Sequence, residues 1–245
     1  MRVGLFVTCL VDMMRPRIGF AALKLLEAAG CEVVVPTGQT CCGQPAYNSG
    51  DRESARALAI KLLEEFESCE YVVAPSGSCA GMIRTHYADL AGESEALARR
   101  MAALSSRTYE LTDFLVNVAK FDKVPGDYQG SITYHDSCSG LRELGVKTQP
   151  RALLAQMPGV ALHEMEGAEE CCGFGGAFSV KFGELSAAIA EKKCDCIRAT
   201  GSDAIVGGDL GCLLNIEGKL RRMGDDETQV LHVAEVLAGD AKGAR

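Results

Sequence analysis

Cysteine is the residue type whose number and spacing stand out in this 245-residue chain, which contains twelve of them. Eight fall into two copies of one pattern: a single cysteine, then Cys-Cys-Gly, then a further cysteine. Matching cysteines in the two copies are 129, 130, 130 and 133 residues apart. Because chance placement seldom repeats a register, the pattern indicates a duplicated domain. The eight are Cys9, Cys41, Cys42, Cys79, Cys138, Cys171, Cys172 and Cys212.

The chemistry open to these thiols is metal binding, cluster binding or thiol–disulfide exchange. Four soft thiolates in one place suit Zn²⁺ or an iron–sulfur cluster. The adjacent pairs favour a cluster, because neighbouring side chains point apart and can reach different irons. Gly43 and Gly173 directly follow the pairs, permit positive φ and close backbone approach, and are expected to help bind the cofactor. The other cysteines are predicted to be small core residues: Cys31, Cys69, Cys194 and Cys196.

Short apolar strands that alternate with helices lead to each of these cysteine positions. The predicted strands are 3–7, 32–35, 71–74, 132–134, 160–163 and 204–207. The predicted helices are 18–29, 51–66, 152–157 and 184–198. This alternation predicts an α/β fold of two tandem β-α-β units with parallel sheets. The repeated cysteines then lie at the carboxyl ends of strands, where ligands bind in open α/β sheets.

The polar segment 122–127, which contains Pro125 and Gly126, is the predicted linker between the two halves. It divides the chain into a first cysteine-rich domain, 1–125, and a second, 126–245. Asp51 precedes an apolar-periodic helix and is predicted to be its N-cap.

Composition excludes several classes of protein. The chain is 47% hydrophobic and 24% charged, which excludes wholesale disorder. Its net charge of −8, without any Lys/Arg block, argues against nucleic acid or an anionic membrane as partner. No apolar run approaches the roughly 18 residues of a spanning helix. The N-terminus imitates a signal peptide, but Asp12, Arg15 and Arg17 follow too soon, so a first β-strand is predicted.

The weaker motifs are predicted to be structural, or their roles are left open. Residues 173–176 resemble a phosphate loop but lack the GxGxxG and GKS/T patterns, so no nucleotide site is predicted. His135 and Asp136 lie just before Cys138, where they either support the cysteine ligands or relay protons, or are simply hydrogen-bonded at a strand end. The remaining histidines are expected to be structural: His86, His163 and His232.

The doubled Cys…Cys-Cys-Gly…Cys pattern resembles the cysteine-rich CCG domain, which occurs in heterodisulfide reductase and in the iron–sulfur subunit of glycolate oxidase. Two such domains account for the whole chain. The segment 76–82, Ser-Gly-Ser-Cys-Ala-Gly-Met, is similar to its counterpart in the lactate-utilization branch of the family. That resemblance implies a cytoplasmic subunit of a three-protein iron–sulfur system that oxidises L-lactate to pyruvate, with the other subunits as partners.

One departure from the family pattern bears on the type of cluster. The CCG-containing subunit of heterodisulfide reductase ends each motif in Cys-x-x-Cys and uses five cysteines per cluster, whereas Ser76 and Asp209 stand at the first of those positions here. Either residue remains open as an oxygen ligand. The expectation is two clusters of the [4Fe–4S] type, each with four cysteine ligands. Those ligands are Cys9, Cys41, Cys42 and Cys79 in the first half, and Cys138, Cys171, Cys172 and Cys212 in the second.

The predicted role is electron transfer, because the sequence carries no flavin or nicotinamide motif. It also lacks the ferredoxin run of cysteines, so conventional clusters would belong to a partner. Two alternatives remain: a heterodisulfide reductase-like subunit that acts on disulfides, and a non-catalytic scaffold that binds structural zinc.

Overall fold

Two parallel sheets of identical strand order organise the protein, whose residues 1–241 are described by a computed structural model. The first sheet has the order β2-β1-β3-β4. Its strands are β1 (Arg2–Leu5), β2 (Glu32–Val34), β3 (Tyr71–Ala74) and β4 (Thr108–Glu110). The second sheet has the order β6-β5-β7-β8. Its strands are β5 (Gly130–His135), β6 (Val160–Leu162), β7 (Ala204–Gly207) and β8 (Gln229–His232).

The repeated topology confirms the predicted fold class of two tandem α/β units. Most residues of the central strands are buried because helices cover both faces of a parallel sheet. In β1, for example, Val3 is fully buried and stands in register with Val33 of β2 and Tyr71 of β3. The six predicted strands all occur: two have the predicted bounds, 71–74 and 204–207, and the ends of the other four differ from the prediction by at most two residues.

One strand in each half was missed. β4 and β8 are edge strands of their sheets. Thr108 of β4 stands in register with Val72 of β3, and Leu231 of β8 stands in register with Val206 of β7. Both strands are short and carry polar residues, so neither shows a recognisable apolar run. Pairing with the neighbouring strand, rather than local pattern, establishes them.

Helices connect the strands and continue beyond β4 and β8. In the first half they are α1 (Cys9–Met14), α2 (Arg17–Ala28), α3 (Gln44–Asn48), α4 (Arg52–Phe66), α5 (Gly77–Gly81), α6 (Glu95–Ser106) and α7 (Leu111–Asp113). In the second half they are α8 (Cys138–Leu144), α9 (Thr148–Leu154), α10 (Ala177–Lys181), α11 (Gly183–Ala199), α12 (Leu210–Arg222) and α13 (Val233–Ala238). A π-helical turn, Met82–His86, extends α5, and a second one, Phe114–Val118, extends α7.

The predicted helices are present, and local chemistry explains their ends. The Asp51 carboxylate accepts a hydrogen bond from the Ser54 amide at 3.0 Å, which confirms the predicted N-cap of α4. The helix predicted at 152–157 begins earlier, at Thr148, and ends at Leu154. Pro150 is compatible with that earlier start, because amides in a first turn have no partner within the helix.

One apolar core extends through both halves. It includes Leu25 of α2 and Leu111 of α7 together with Leu153 of α9 and Leu237 of α13. Helix α13 packs on α2, and α9 packs on α7, so each half covers apolar surface of the other. The buried residues of a smaller core around Phe66 all come from the first half, and Leu144 of α8 packs against it.

The four cysteines outside the repeat lie where a core role predicts. Cys31, Cys69 and Cys194 are buried, while Cys196 is half-buried at the edge of the shared core.

Residues 120–129 form no regular secondary structure and join the two sheets. The predicted linker lies within this segment, and the domain boundary after residue 125 remains a prediction. Among residues 1–241, no helix is long and apolar enough to cross a membrane.

Candidate metal centre

A single cavity of about 350 Å³ lies between the carboxyl ends of the strands of the two halves. All eight repeated cysteines line it, together with Ser76 and Asp209. The sequence predicts that four cysteines converge within each half. The structure brings both sets of four to the same cavity.

In the first half, each thiol is placed by the segment that follows a strand. Cys9 is the first residue of α1, Cys79 lies in α5, and the Cys41–Cys42 pair is separated from α3 by Gly43 alone. Cys42 and Cys79 are buried, and their sulfur atoms are 3.4 Å apart. That distance is far longer than the roughly 2.05 Å of a disulfide bond, so both residues present thiol sulfur to the cavity.

The second half repeats this arrangement with one difference in exposure. Cys138 is the first residue of α8, and Cys212 lies in the first turn of α12. Cys172 and Cys212 are buried, whereas Cys171 is exposed. The second set of thiols is therefore open to solvent on one side.

The glycine after each pair has the same conformation, with φ of +86° at both Gly43 and Gly173. This turn points each glycine amide back at a thiol: Gly43 donates to the Cys41 sulfur at 3.4 Å, and Gly173 to the Cys171 sulfur at 3.3 Å. Amide donors to a thiolate stabilise its negative charge. The sequence predicts the glycine conformation, and the structure adds the bonds.

Two polar side chains that the sequence analysis did not single out hold the cysteine pairs in place. The Tyr87 hydroxyl donates to the Cys42 carbonyl at 2.9 Å, and the Asn215 amide group donates to the Cys172 carbonyl at 2.9 Å. Both come from distant segments, so no local pattern indicated them.

Crowding of the thiols separates their pKa values. Hydrogen bonds from the thiols of Cys42 and Cys9 lower the pKa of Cys41 to about 2. The same contact with Cys41, together with burial, raises the pKa of Cys9 above its ordinary value. In the second half, a hydrogen bond with Cys172 and burial raise the pKa of Cys171. A bound cation would favour the thiolate forms of Cys9 and Cys171, so binding a metal would release protons.

Ser76 and Asp209 act as helix caps and join the two halves. The Ser76 hydroxyl accepts from the Cys79 amide at 3.3 Å, and Asp209 accepts from the Gly211 amide at 3.3 Å. Asp209 also accepts from the Ser78 amide at 2.8 Å and from the Ser76 hydroxyl at 3.3 Å, across the boundary between the halves. These bonds account for both side chains without a metal.

Asp136 and His135, the residues singled out before Cys138, have different surroundings. Asp136 is buried and receives two hydrogen bonds from the Arg151 guanidinium, at 2.8 and 3.0 Å, as a strand-end structural residue would. His135 is also buried, at 1% exposure, and one of its ring nitrogens lies within 4.8 Å of the sulfur atoms of Cys172 and Cys212. His135 therefore faces the thiols directly.

The other histidines lie away from the cavity. His232 is buried and bridges the halves: its Nδ1 accepts from the Ala234 amide, which leaves Nε2–H to donate to the Pro75 carbonyl at 3.1 Å. His86 approaches Glu143 at 3.7 Å, and His163 is exposed. The glycine-rich segment 173–176 borders the cavity: Gly173 donates to the Cys171 sulfur, residues 174–176 line the cavity, and the segment leads into α10.

The fold and this cysteine-lined cavity define a duplicated cysteine-rich protein, and comparison with known sequences agrees. The cysteine-rich domain model CCG matches residues 3–84 and again 132–217, so the chain belongs to the cysteine-rich domain family. Lactate utilization protein A of Bacillus subtilis is 46% identical over 237 residues, which are 97% of this chain and 99% of that protein. Lactate utilization protein A of Bacillus licheniformis is 45% identical, with coverage of 97% and 99%. The resemblance recognised in the sequence is thereby confirmed.

A solved structure shares the fold at low sequence identity. The crystal structure of a hypothetical protein from Helicobacter pylori superposes with a TM-score of 0.60 at 9% identity. The match covers 98% of this chain and 49% of that one.

Proposed function

We propose that this chain is an iron–sulfur electron-transfer subunit of a system that oxidises L-lactate to pyruvate. The observation that carries the proposal is the convergence of all eight repeated cysteines on one cavity. The substrate is proposed from the lactate utilization proteins that share 45–46% identity with the chain. The other subunits of such a system are the proposed partners.

The donor set fits iron–sulfur clusters. All twelve cysteines are free thiols, and eight of them line the cavity, which suits soft thiophilic iron. The proposed ligands of the first cluster are Cys9, Cys41, Cys42 and Cys79. The proposed ligands of the second cluster are Cys138, Cys171, Cys172 and Cys212.

The chain's own residues would set the properties of these centres. When bound, two clusters would supply two one-electron redox centres, which matches the two electrons released when lactate becomes pyruvate. The amides of Gly43 and Gly173 donate to cysteine sulfurs, and this favours added negative charge. Burial of Cys42 and Cys172 keeps water from the inner thiols. Because no flavin or nicotinamide motif is present, we assign hydride or proton abstraction from lactate to partner subunits.

Anaerobic purification with metal and sulfide analysis tests the cofactor. We expect a brown protein that contains several irons and acid-labile sulfides per chain, with an EPR signal on reduction. Cys42→Ser and Cys172→Ser should each lose about half of the iron, because each removes a ligand of one cluster. Cys196→Ser, a half-buried cysteine outside the cavity, is the matched control and should retain all of it.

Three results would contradict the proposal. A colourless protein with about two zinc ions would support the structural scaffold instead. Full iron in both ligand variants would refute the ligand assignment. The disulfide-reducing alternative would be favoured if a mixed disulfide reoxidises the reduced clusters while lactate, with the partner subunits present, does not reduce them. Glycolate in place of L-lactate tests the choice of 2-hydroxy acid.

A further inference from the structure

His135 has no hydrogen-bond partner although it is buried. It ends β5 with 1% of its surface exposed, and within residues 1–241 neither ring nitrogen has a partner. Burying an imidazole with both nitrogens unpaired costs free energy, because each loses its bond to water. The structure therefore holds an imidazole ring without hydrogen-bond partners beside the buried thiols of Cys172 and Cys212.

The position of the ring indicates what could satisfy it. One ring nitrogen and the sulfur atoms of Cys172 and Cys212 all lie within 4.8 Å of one another. Neighbouring ionic groups are already paired: Lys193 donates to the Gly167 carbonyl at 2.5 Å, and Asp136 pairs with Arg151. A metal held by these two thiols would satisfy one of the ring nitrogens.

The first half has no equivalent nitrogen. The offset of 129 residues between Cys9 and Cys138 aligns His135 with Phe6. Phe6 is fully buried and packs edge-to-face on Phe66, with ring centroids 5.9 Å apart. At this position the duplicated sites thus differ by one potential ligand.

We propose that His135 is a nitrogen ligand of the iron–sulfur centre held by the second half, so that the two halves hold chemically different centres. This inference rests on the proposed function. In that centre His135 would join Cys172 and Cys212 and replace one of the other two thiolates proposed above, and a neutral imidazole in place of an anionic thiolate raises the reduction potential of an iron–sulfur centre. The second centre is therefore expected to be reduced before the first.

Pulsed EPR on the holoprotein labelled with ¹⁵N-histidine tests the assignment. The wild type should show the strong nitrogen coupling of one directly bound histidine. His135→Phe, which copies the first half, should abolish that coupling, and His135→Cys should keep the iron while lowering the potential of one centre. His163→Phe, at an exposed histidine, is the control and should leave the coupling unchanged.

The outcomes separate this inference from the proposed function. A wild-type protein with full iron and sulfide but no strong nitrogen coupling would overturn ligation by His135 and leave the proposed function intact. Strong coupling that persists in His135→Cys would also overturn it. A wild-type protein without iron would refute the proposed function itself. If His135→Phe fails to load iron, His135→Cys alone decides, because it offers a replacement ligand.

Discussion

At the scale of single residues, Gly173 illustrates how tightly the cysteine pairs are constrained. Its φ of +86° lies in the region that favours glycine, and a Cβ atom there would stand 2.5 Å from the Ser186 carbonyl oxygen. The Ser186 hydroxyl in turn donates to the Gly173 carbonyl at 2.8 Å. The turn after Cys172 is therefore held against α11 by contacts that leave no room for a side chain.

Gly173→Ala should destabilise the protein by about 2 kcal/mol or more, through backbone strain and overpacking, and should reduce iron in the second site. Urea unfolding and iron analysis measure the two effects. Gly218→Ala is the matched control, because a Cβ there meets nothing within 4 Å. Since Gly218 lies inside α12, that change should stabilise the protein by about 0.5–1 kcal/mol. Equal effects of the two substitutions would contradict this account.

Glu110 is a buried carboxyl close to the boundary between the halves. One oxygen accepts from the Thr112 amide at 2.8 Å and the Asp113 amide at 3.1 Å, while the other has no partner within the described chain. Burial raises the pKa of Glu110 to about 7, against the hydrogen bonds from Thr112 and Asp113, which lower it. The folded protein thus holds a proton that the unfolded chain releases at lower pH.

The stability contributed by this proton should be present below about pH 4.5 and lost as the pH rises to about 7. The shift in the pKa of Glu110 corresponds to a loss of roughly 3 kcal/mol in the free energy of unfolding between about pH 4.5 and 7. Glu110→Gln cannot ionise, so its unfolding free energy relative to wild type should increase by about that amount between pH 4.5 and 8. Urea unfolding of both proteins across this range measures the difference. A difference that does not change with pH would contradict a buried, protonated Glu110.

At the scale of elements, helix starts position half of the cavity cysteines. Cys79 and Cys212 lie in the first turns of α5 and α12, and Ser76 and Asp209 cap those same helices. The two caps also bond to each other, so the two helix starts are locked together across the boundary. Ser76 and Asp209, which stand where the heterodisulfide reductase pattern described above has a further cysteine, therefore serve here as helix caps.

Ser76→Ala and Asp209→Ala should each destabilise the metal-free chain by about 1–2 kcal/mol, because they leave capped amides without partners. The destabilisation of the double variant should differ from the sum of the two single destabilisations by about 0.5–1 kcal/mol, since the two side chains share a hydrogen bond. Urea unfolding of the four proteins provides the double-mutant cycle. Iron content of the reconstituted variants should stay at the wild-type level, and loss of iron in a folded variant would instead indicate an oxygen ligand.

At the scale of the whole molecule, the halves depend on each other. Their shared core joins α2 to α13 and α9 to α7, and Lys24 of α2 donates to the Ala238 carbonyl at 2.6 Å. Buried His232 bonds to Pro75 across the same boundary. Separating the halves would expose this apolar surface and leave buried polar groups unpaired.

The intact metal-free chain should therefore unfold in a single cooperative transition, although it is proposed to contain two domains. Fragments 1–125 and 126–245 expressed alone should be unfolded or aggregated, and mixing them should restore structure. Circular dichroism during thermal and urea unfolding measures both. Two separate transitions, or two independently folded fragments, would show that the shared core is not essential.

The cysteine pattern shows how far local information reaches. The repeat, the apolar strands, the Asp51 cap and the glycine turns follow from short-range spacing and residue chemistry, so all were predictable. The edge strands β4 and β8 were not, because pairing with a neighbour rather than hydrophobic periodicity defines them. Tyr87 and Asn215 were missed for a similar reason, since each reaches its cysteine pair from a distant segment.

The amino-acid sequence by itself determined that each half carries four cysteines at strand ends, since periodicity and register are local properties. Only the tertiary structure decided that both sets line one cavity, that Ser76 meets Asp209, and that His135 reaches Cys172 and Cys212. The reason is physical: the packing of one half on the other depends on apolar surfaces assembled from many separated segments. No spacing along the chain encodes that contact directly.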